Sequence, residues 1–184
     1  MSHTSELVLS LFPGIDILGR GFEDEGFCVV RGPDLLWGGD IRNFHTPPGK
    51  FEGIIAGSPC QDFSPARRTP PTGYGLEMLA EFQRVVTEAQ PEWWLLENSP
   101  RVPDIVIDGY KVQRIALNAR ECGAKQNRPR HFQFGSLAGL VLIIERQPPP
   151  PAQRQNSPRN GGCFSFGCQK SGSYFNLGHF RGLF

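Results

Sequence analysis

The chain reads as an α/β domain, doubly wound around a mostly parallel sheet with helices on both faces. Three observations predict this. Short apolar segments, some apolar at every position, alternate with stretches of helical period. Glycine and proline turns close most of these segments. The polar residues best suited to chemistry follow the apolar segments directly, on the rim where parallel sheets bind ligands.

Residues 6–12 read as a short buried strand running into Pro13-Gly14. The helix that follows places Ile15, Leu18, Gly19 and Phe22 on one face. Residues 27–30 form a second strand, and residues 51–57 a third that stops at a Gly-Ser-Pro turn. An amphipathic helix spans 76–89, with Leu76, Leu79, Phe82 and Val86 as its core face. The fully apolar strand 93–96 delivers Glu97-Asn98 at its end, and its Trp93 and Trp94 read as core residues. A further helix is expected at 112–119, then a loop, a strand at 131–135 and one more at 140–145. Beyond it come Pro148–Pro151, a stretch rich in Gln, Asn, Ser and Gly, and a Gly- and Phe-rich end without a clear period. The domain is therefore expected to span 1–145, with residues 146–184 as a tail or short extension.

At 184 residues one domain is expected, and 39% hydrophobic with 20% charged residues is an ordinary globular composition. No apolar run approaches the roughly 20 residues that cross a bilayer, which points to an intracellular protein. Five irregularly spaced cysteines argue against a disulfide framework, so each is buried, metal-bound or reactive. Cys163, Cys168 and His179 are too loosely spaced to make a zinc site, and no metal is expected. The net charge of +1 hides an asymmetry. Residues 1–145 carry 14 basic against 18 acidic side chains, whereas residues 146–184 carry five basic and none acidic. A basic tail suits a polyanion, because neutralising phosphates supplies most sequence-independent affinity; a merely solvated tail is the plainer alternative.

Three candidates for chemistry lie on the expected rim or beside it. In Gly57-Ser58-Pro59-Cys60-Gln61 a buried strand stops and a stiff turn presents a thiol, which becomes nucleophilic if its surroundings lower its pKa. Glu97 follows an apolar strand, and a carboxylate so placed needs a partner unless water reaches it. Gln126-Asn127-Arg128-Pro129-Arg130 sets two guanidiniums at a strand start, suited to a phosphate or a carboxylate.

In this order, over residues 6–136, these segments resemble the cytosine-C5 methyltransferases, which modify DNA and, in one branch, tRNA. Leu9-Ser10-Leu11-Phe12-Pro13-Gly14-Ile15-Asp16 looks like the first, cofactor-binding motif, and Gly39-Asp40-Ile41 like the acidic motif that meets adenine. Pro59-Cys60-Gln61 matches the nucleophile motif, Glu97-Asn98 the glutamate motif and residues 126–130 the Gln-x-Arg-x-Arg motif. The resemblance implies a Rossmann-like, S-adenosylmethionine-dependent fold of reduced size. It implies catalytic Cys60, Glu97, Arg128 and Arg130. Phe12, Gly14, Ile15, Asp40, Ile41 and Pro59 would hold the cofactor, and Gln61, Ser64, Asn98 and Gln126 the substrate. That substrate is expected to be nucleic acid, DNA in preference to tRNA, flipped out of the stack if duplex. Arg67-Arg68 lies in the loop that, in the family, closes over the base.

The sequence also departs from the family pattern. Asp16 stands where a second glycine is usual, and no acidic residue follows the second strand in register, although Asp34 and Glu25 lie nearby. Only 13 residues separate Asn98 from Val112, and no target-recognition domain or closing motif is recognisable in 136–184. A minimal enzyme, an enzyme completed by a second copy or a helper protein, and a silent nucleic-acid- or cofactor-binding module all fit that pattern.

Overall fold

The structure, a computed structural model, describes residues 7–144 and Arg146, together with the backbone of strands Phe166–Ser171 and Tyr174–Gly178. Its centre is a six-stranded sheet in the order β2-β1-β3-β4-β6-β5, built from β1 (Leu7–Leu11), β2 (Cys28–Arg31), β3 (Gly53–Gly57), β4 (Trp93–Asn98), β5 (Lys111–Asn118) and β6 (Pro129–Ser136). The first four strands are parallel, whereas β6 runs against both β4 and β5.

The two faces alternate along each strand, as strand geometry requires. Val8, Ile55, Trp93, Leu95 and Phe134 point to the face covered by α1 (Ile17–Asp24), which packs Phe22 beneath them. Leu9, Leu11, Ile54, Ala56, Trp94 and Leu96 point to α2 (Tyr74–Ala89). Helices on both faces confirm the doubly wound arrangement. Each tryptophan of β4 lies across a glycine on a neighbouring strand: Trp93 pairs with Gly53 of β3 and Trp94 with Gly135 of β6. The absent side chains leave room for the indoles.

Three sequence expectations need correction. Ile15 is not on the first helix but precedes it, two-thirds exposed, because Asp16 caps a helix that starts only at Ile17. Leu76 is exposed, and the buried face of α2 runs instead through Gly75, Met78, Leu79, Phe82, Val85, Val86 and Ala89. The expected helix at 112–119 is the strand β5. Its burial alternates with period two: Gln113, Ile115 and Leu117 turn inward and Val112, Arg114 and Ala116 outward, a pattern that a sheet edge satisfies and a helix does not.

Residues 99–110 join β4 to β5 without a helix and are fastened from beneath by two polar side chains. Gln133 accepts from Ile105 N at 2.7 Å and donates to Pro103 O at 2.9 Å. Arg114 donates to Val102 O at 2.9 Å and pairs with Asp104. A second sheet, β7-β9-β8, combines β7 (Val141–Ile143) with β8 (Phe166–Ser171) and β9 (Tyr174–Gly178). The segment without a sequence period thus supplies two strands, β9 parallel to β7 and antiparallel to β8.

Candidate active site

The turn after β3 is built to hold a thiol in place. Asn98, at the end of β4 and 1% exposed, donates from Nδ2 to Ser58 O at 3.2 Å and Ser58 Oγ at 2.6 Å, and its Oδ1 accepts from Ser99 N at 2.7 Å. Cys60 then opens a single 3₁₀ turn, Gln61–Phe63, closed by Phe63 N donating to Cys60 O. The three cysteines with described side chains differ sharply. Cys28 is exposed, Cys60 is half-buried at the rim, and Cys122 is buried, where desolvation pushes its thiol up to about 11 and leaves it inert.

Glu97 lies directly beside this turn, because Gly57 and Glu97 are register partners at the ends of β3 and β4. Phe132 faces Glu97 on β6, and two residues earlier on the same side Arg130 brings Nε to 2.6 Å from Glu97 Oε1. Burial pushes the Glu97 carboxyl above its ordinary range; the charges of Arg130 and Arg128 pull against this without cancelling it. Arg128 Nε is itself buried with no hydrogen-bond partner among the described residues. The result is a half-buried thiol, a carboxyl that takes a proton readily and two guanidiniums, one with an unused donor.

A polar hub behind the thiol was not read from the sequence. Asp62 accepts from Gly75 N at 2.9 Å, Thr72 N at 3.0 Å and Thr72 Oγ1 at 3.1 Å, and pairs with Arg67. These bonds, led by those from Gly75 and Thr72, hold its carboxyl down at about 2. The available signal was indirect: the N-cap position before α2 is Gly73, which has no side chain to cap the helix, so an acceptor must come from elsewhere. Arg67 is spent on Asp62, Thr69 O and Pro70 O, leaving Arg68 as the exposed cation of this loop.

In front of the β1 and β3 ends lies a cleft of about 140 Å³. Four of the residues expected to hold a cofactor, Phe12, Asp40, Ile41 and Pro59, line it together with Pro33, Asp34, Leu35, Gly39 and Gln61. Asp40 caps the 3₁₀ turn Ile41–Asn43 through Arg42 N at 3.0 Å, a bond that lowers its pKa, and pairs with Arg42. Gly14 and Ile15 are not among the lining residues. The N–H of Gly14, one of the residues expected to hold the cofactor, is given to Asp34 Oδ2 at 2.9 Å. Asp16 is buried: Ser10 Oγ donates to it at 2.8 Å and Gly19 N at 3.0 Å, and Arg31 Nε lies 2.9 Å away. Of the expected substrate set, Gln61 and Gln126 are exposed, Ser64 Oγ accepts from Ala66 N, and Asn98 is committed to the Ser58 turn. Cys163, Cys168 and His179 lie outside the residues whose side chains are described; among those that are, no cluster could hold a metal.

A cleft at parallel strand ends, with a thiol, a carboxyl and two guanidiniums on the adjoining rim, defines an α/β domain whose rim suits cysteine chemistry. The chain belongs to the C-5 cytosine-specific DNA methylase family, whose model matches residues 37–161. It is 31% identical over 174 residues to the Type II methyltransferase M.HgiDI of Herpetosiphon aurantiacus, an alignment covering 76% of this chain and 56% of that protein. Two solved structures share the fold. A candidate DNA modification methyltransferase encoded within an E. coli prophage matches with a TM-score of 0.55 and 24% identity, over 71% of this chain and 46% of that one. The Entamoeba histolytica methyltransferase EhMeth matches with a TM-score of 0.56 and 11% identity, over 78% and 57%. The chain spans about half the length of the curated relatives it matches.

Proposed function

We propose that this chain transfers a methyl group from S-adenosylmethionine to carbon 5 of cytosine in DNA, through a covalent adduct with Cys60. The observation that carries this reading is the convergence of Cys60, Glu97 and Arg130 from three strand ends onto one rim, with Arg128 beside them. Residues 1–145 carry the chemistry, and the basic stretch 146–184 meets phosphate. The site of action is intracellular; among the described residues no helix is long and apolar enough to cross a membrane.

The cleft suits the cofactor by the chemistry of its walls. Phe12, Ile41 and Pro59 offer apolar surface to an aromatic base, and Asp40 offers a carboxylate to its amino or hydroxyl donors. When bound, S-adenosylmethionine supplies an electrophilic methyl on a sulfonium. Carbon 5 of cytosine is too weak a nucleophile to take it unaided. The Cys60 thiolate adds to carbon 6, moving the ring's electron pair toward carbon 5. Glu97, with its raised pKa, holds a proton toward N3 and accepts from the exocyclic amine, stabilising charge as the thiolate adds. Arg130 fixes the Glu97 carboxyl, and the Arg128 charge beside it adds to the positive field on that carboxyl. Carbon 5 would take the methyl as the sulfonium–carbon bond breaks and S-adenosylhomocysteine leaves; loss of the carbon 5 proton to solvent then restores the ring double bond and expels Cys60 as thiolate.

The test is transfer of labelled methyl to DNA by the whole chain, compared with Cys60→Ser, over a range of protein concentrations. Loss of all transfer in Cys60→Ser supports the reading. A steep rise of specific activity with concentration supports completion of the site by a second copy, and activity only after adding cell extract points to a helper protein. DNA containing 5-fluorocytosine should trap the protein at Cys60; trapping on RNA alone would move the substrate to tRNA. Absence of cofactor binding and of transfer under all these conditions refutes the proposal.

A further inference from the structure

The turn leading into α1 has an unusual backbone, and a segment from across the cleft grips it. Phe12, Gly14 and Asp16 all adopt left-handed φ angles of 51°, 54° and 53°. L side chains disfavour this region, a phenylalanine especially. Asp16 is held by Ser10, Gly19 and Arg31. Gly14 is held by the strap that follows β2, at both of its backbone polar groups: its N–H donates to Asp34 Oδ2 at 2.9 Å, and its C=O accepts from Trp37 Nε1 at 3.1 Å.

The two grips are linked. Asp34 Oδ1 accepts from Leu36 N at 2.7 Å, so the carboxylate that takes the Gly14 N–H also starts the 3₁₀ turn Leu35–Trp37 that carries the indole. Beyond its own backbone bonds to Asp34 O and Leu35 O, this turn has little packing to hold it, because Leu35, Leu36 and Trp37 are each more than half exposed. Yet Pro33, Asp34, Leu35 and Gly39 form one wall of the cleft, and Phe12 belongs to the facing turn.

We propose that Asp34 is a positioning residue for the cofactor: with Trp37 it clamps Gly14, joining the cofactor turn and the strap into one wall. The clamp rests on reading the cleft as the S-adenosylmethionine site. It gives Asp34 a role that its displacement from the end of β2 concealed.

The experiment is calorimetric titration of the whole chain and its variants with S-adenosylhomocysteine. Asp34→Ala removes both acceptors and weakens binding about tenfold, and Trp37→Phe, which removes one donor, about threefold. Asp34→Asn keeps one carbonyl acceptor and recovers part of the loss. Asp34→Ala combined with Trp37→Phe is no weaker than Asp34→Ala alone, since both act on Gly14. In turnover the effect falls on KM for the cofactor rather than on kcat. Equal or tighter binding by Asp34→Ala overturns the clamp. If the wild type binds no S-adenosylhomocysteine, the cofactor reading fails, and the clamp is judged by hydrogen exchange of the Trp37 indole N–H. Slow exchange in the wild type that becomes fast in Asp34→Ala upholds it; identical rates sink it.

Discussion

Adding one methyl group at Gly135 tests how tightly the sheet is packed around β4. A Cβ there would sit 2.2 Å from Trp94 Cε2, 2.3 Å from Nε1 and 2.5 Å from Cζ2, where carbon contacts normally settle at about 3.5–4.0 Å. The indole would have to retreat by more than about 1 Å. It has nowhere to go: Trp94 is fully buried, edge-on to Phe82 with centroids 5.6 Å apart and 6.4 Å from Tyr110. Overpacking of a close-packed core costs about 1–3 kcal/mol. The obstacle is a rigid buried ring rather than a flexible chain end, so about 3 kcal/mol is expected for Gly135→Ala. That lowers Tm by roughly 6–12 °C for a chain of this size. Urea unfolding followed by far-UV circular dichroism measures it. Trp94→Phe should relieve much of the overlap, so the two substitutions should couple by about 1–2 kcal/mol in a double-mutant cycle. A Gly135→Ala protein within about 0.5 kcal/mol of wild type would show that the indole does not lie over the glycine, and would refute the packing argument.

Asn98→Ala strands two acceptors of the buried Ser58 turn; stability should fall by about 1–3 kcal/mol, and the rate of Cys60 trapping by 5-fluorocytosine DNA should fall with it. The Asp62 carboxyl is depressed to about 2 in the fold. Its stabilisation is therefore complete above the ordinary carboxylate value of 3.8 and is lost as pH falls toward 2; Asp62→Asn should flatten that part of an acid-unfolding curve. Glu97 shifts the other way: the fold binds its proton more tightly than the unfolded chain does. Stability should decline as pH rises from the ordinary carboxylate range through the raised folded value, and Glu97→Gln should remove this decline while abolishing methyl transfer. A Glu97→Gln protein that keeps both the slope and the activity would contradict both roles.

The parallel half of the fold was legible because β1, β3 and β4 are buried on both faces and read as apolar runs, as residues 93–96 show best. β5 was not, because one side of an edge strand meets water and its mixed pattern around Val112 and Ile115 imitates a helix. The motifs located Cys60, Glu97 and Arg130, each fixed by its own strand end. Asp62 escaped notice because the donors that hold it most strongly, Gly75 N and Thr72 N, are backbone groups 13 and 10 residues away, which no side-chain pattern announces. The two strands after residue 165 are rich in glycine and phenylalanine, with no alternation to mark them.

The reversed direction of β6 has a consequence for how the protein can fail. Arg130 reaches Glu97 only because it shares a sheet face with Phe132, and side chains alternate strictly along a strand. A slip of one residue would turn Arg130 toward α2 and bring His131 round to Glu97. Glu97 would then be sunk in the rim without its nearest counter-charge, at a cost that correct pairing avoids. The ion pair therefore acts as a proofreading contact for strand assembly, so that a chain able to perform its chemistry has, by that fact, assembled its last central strand in the right frame.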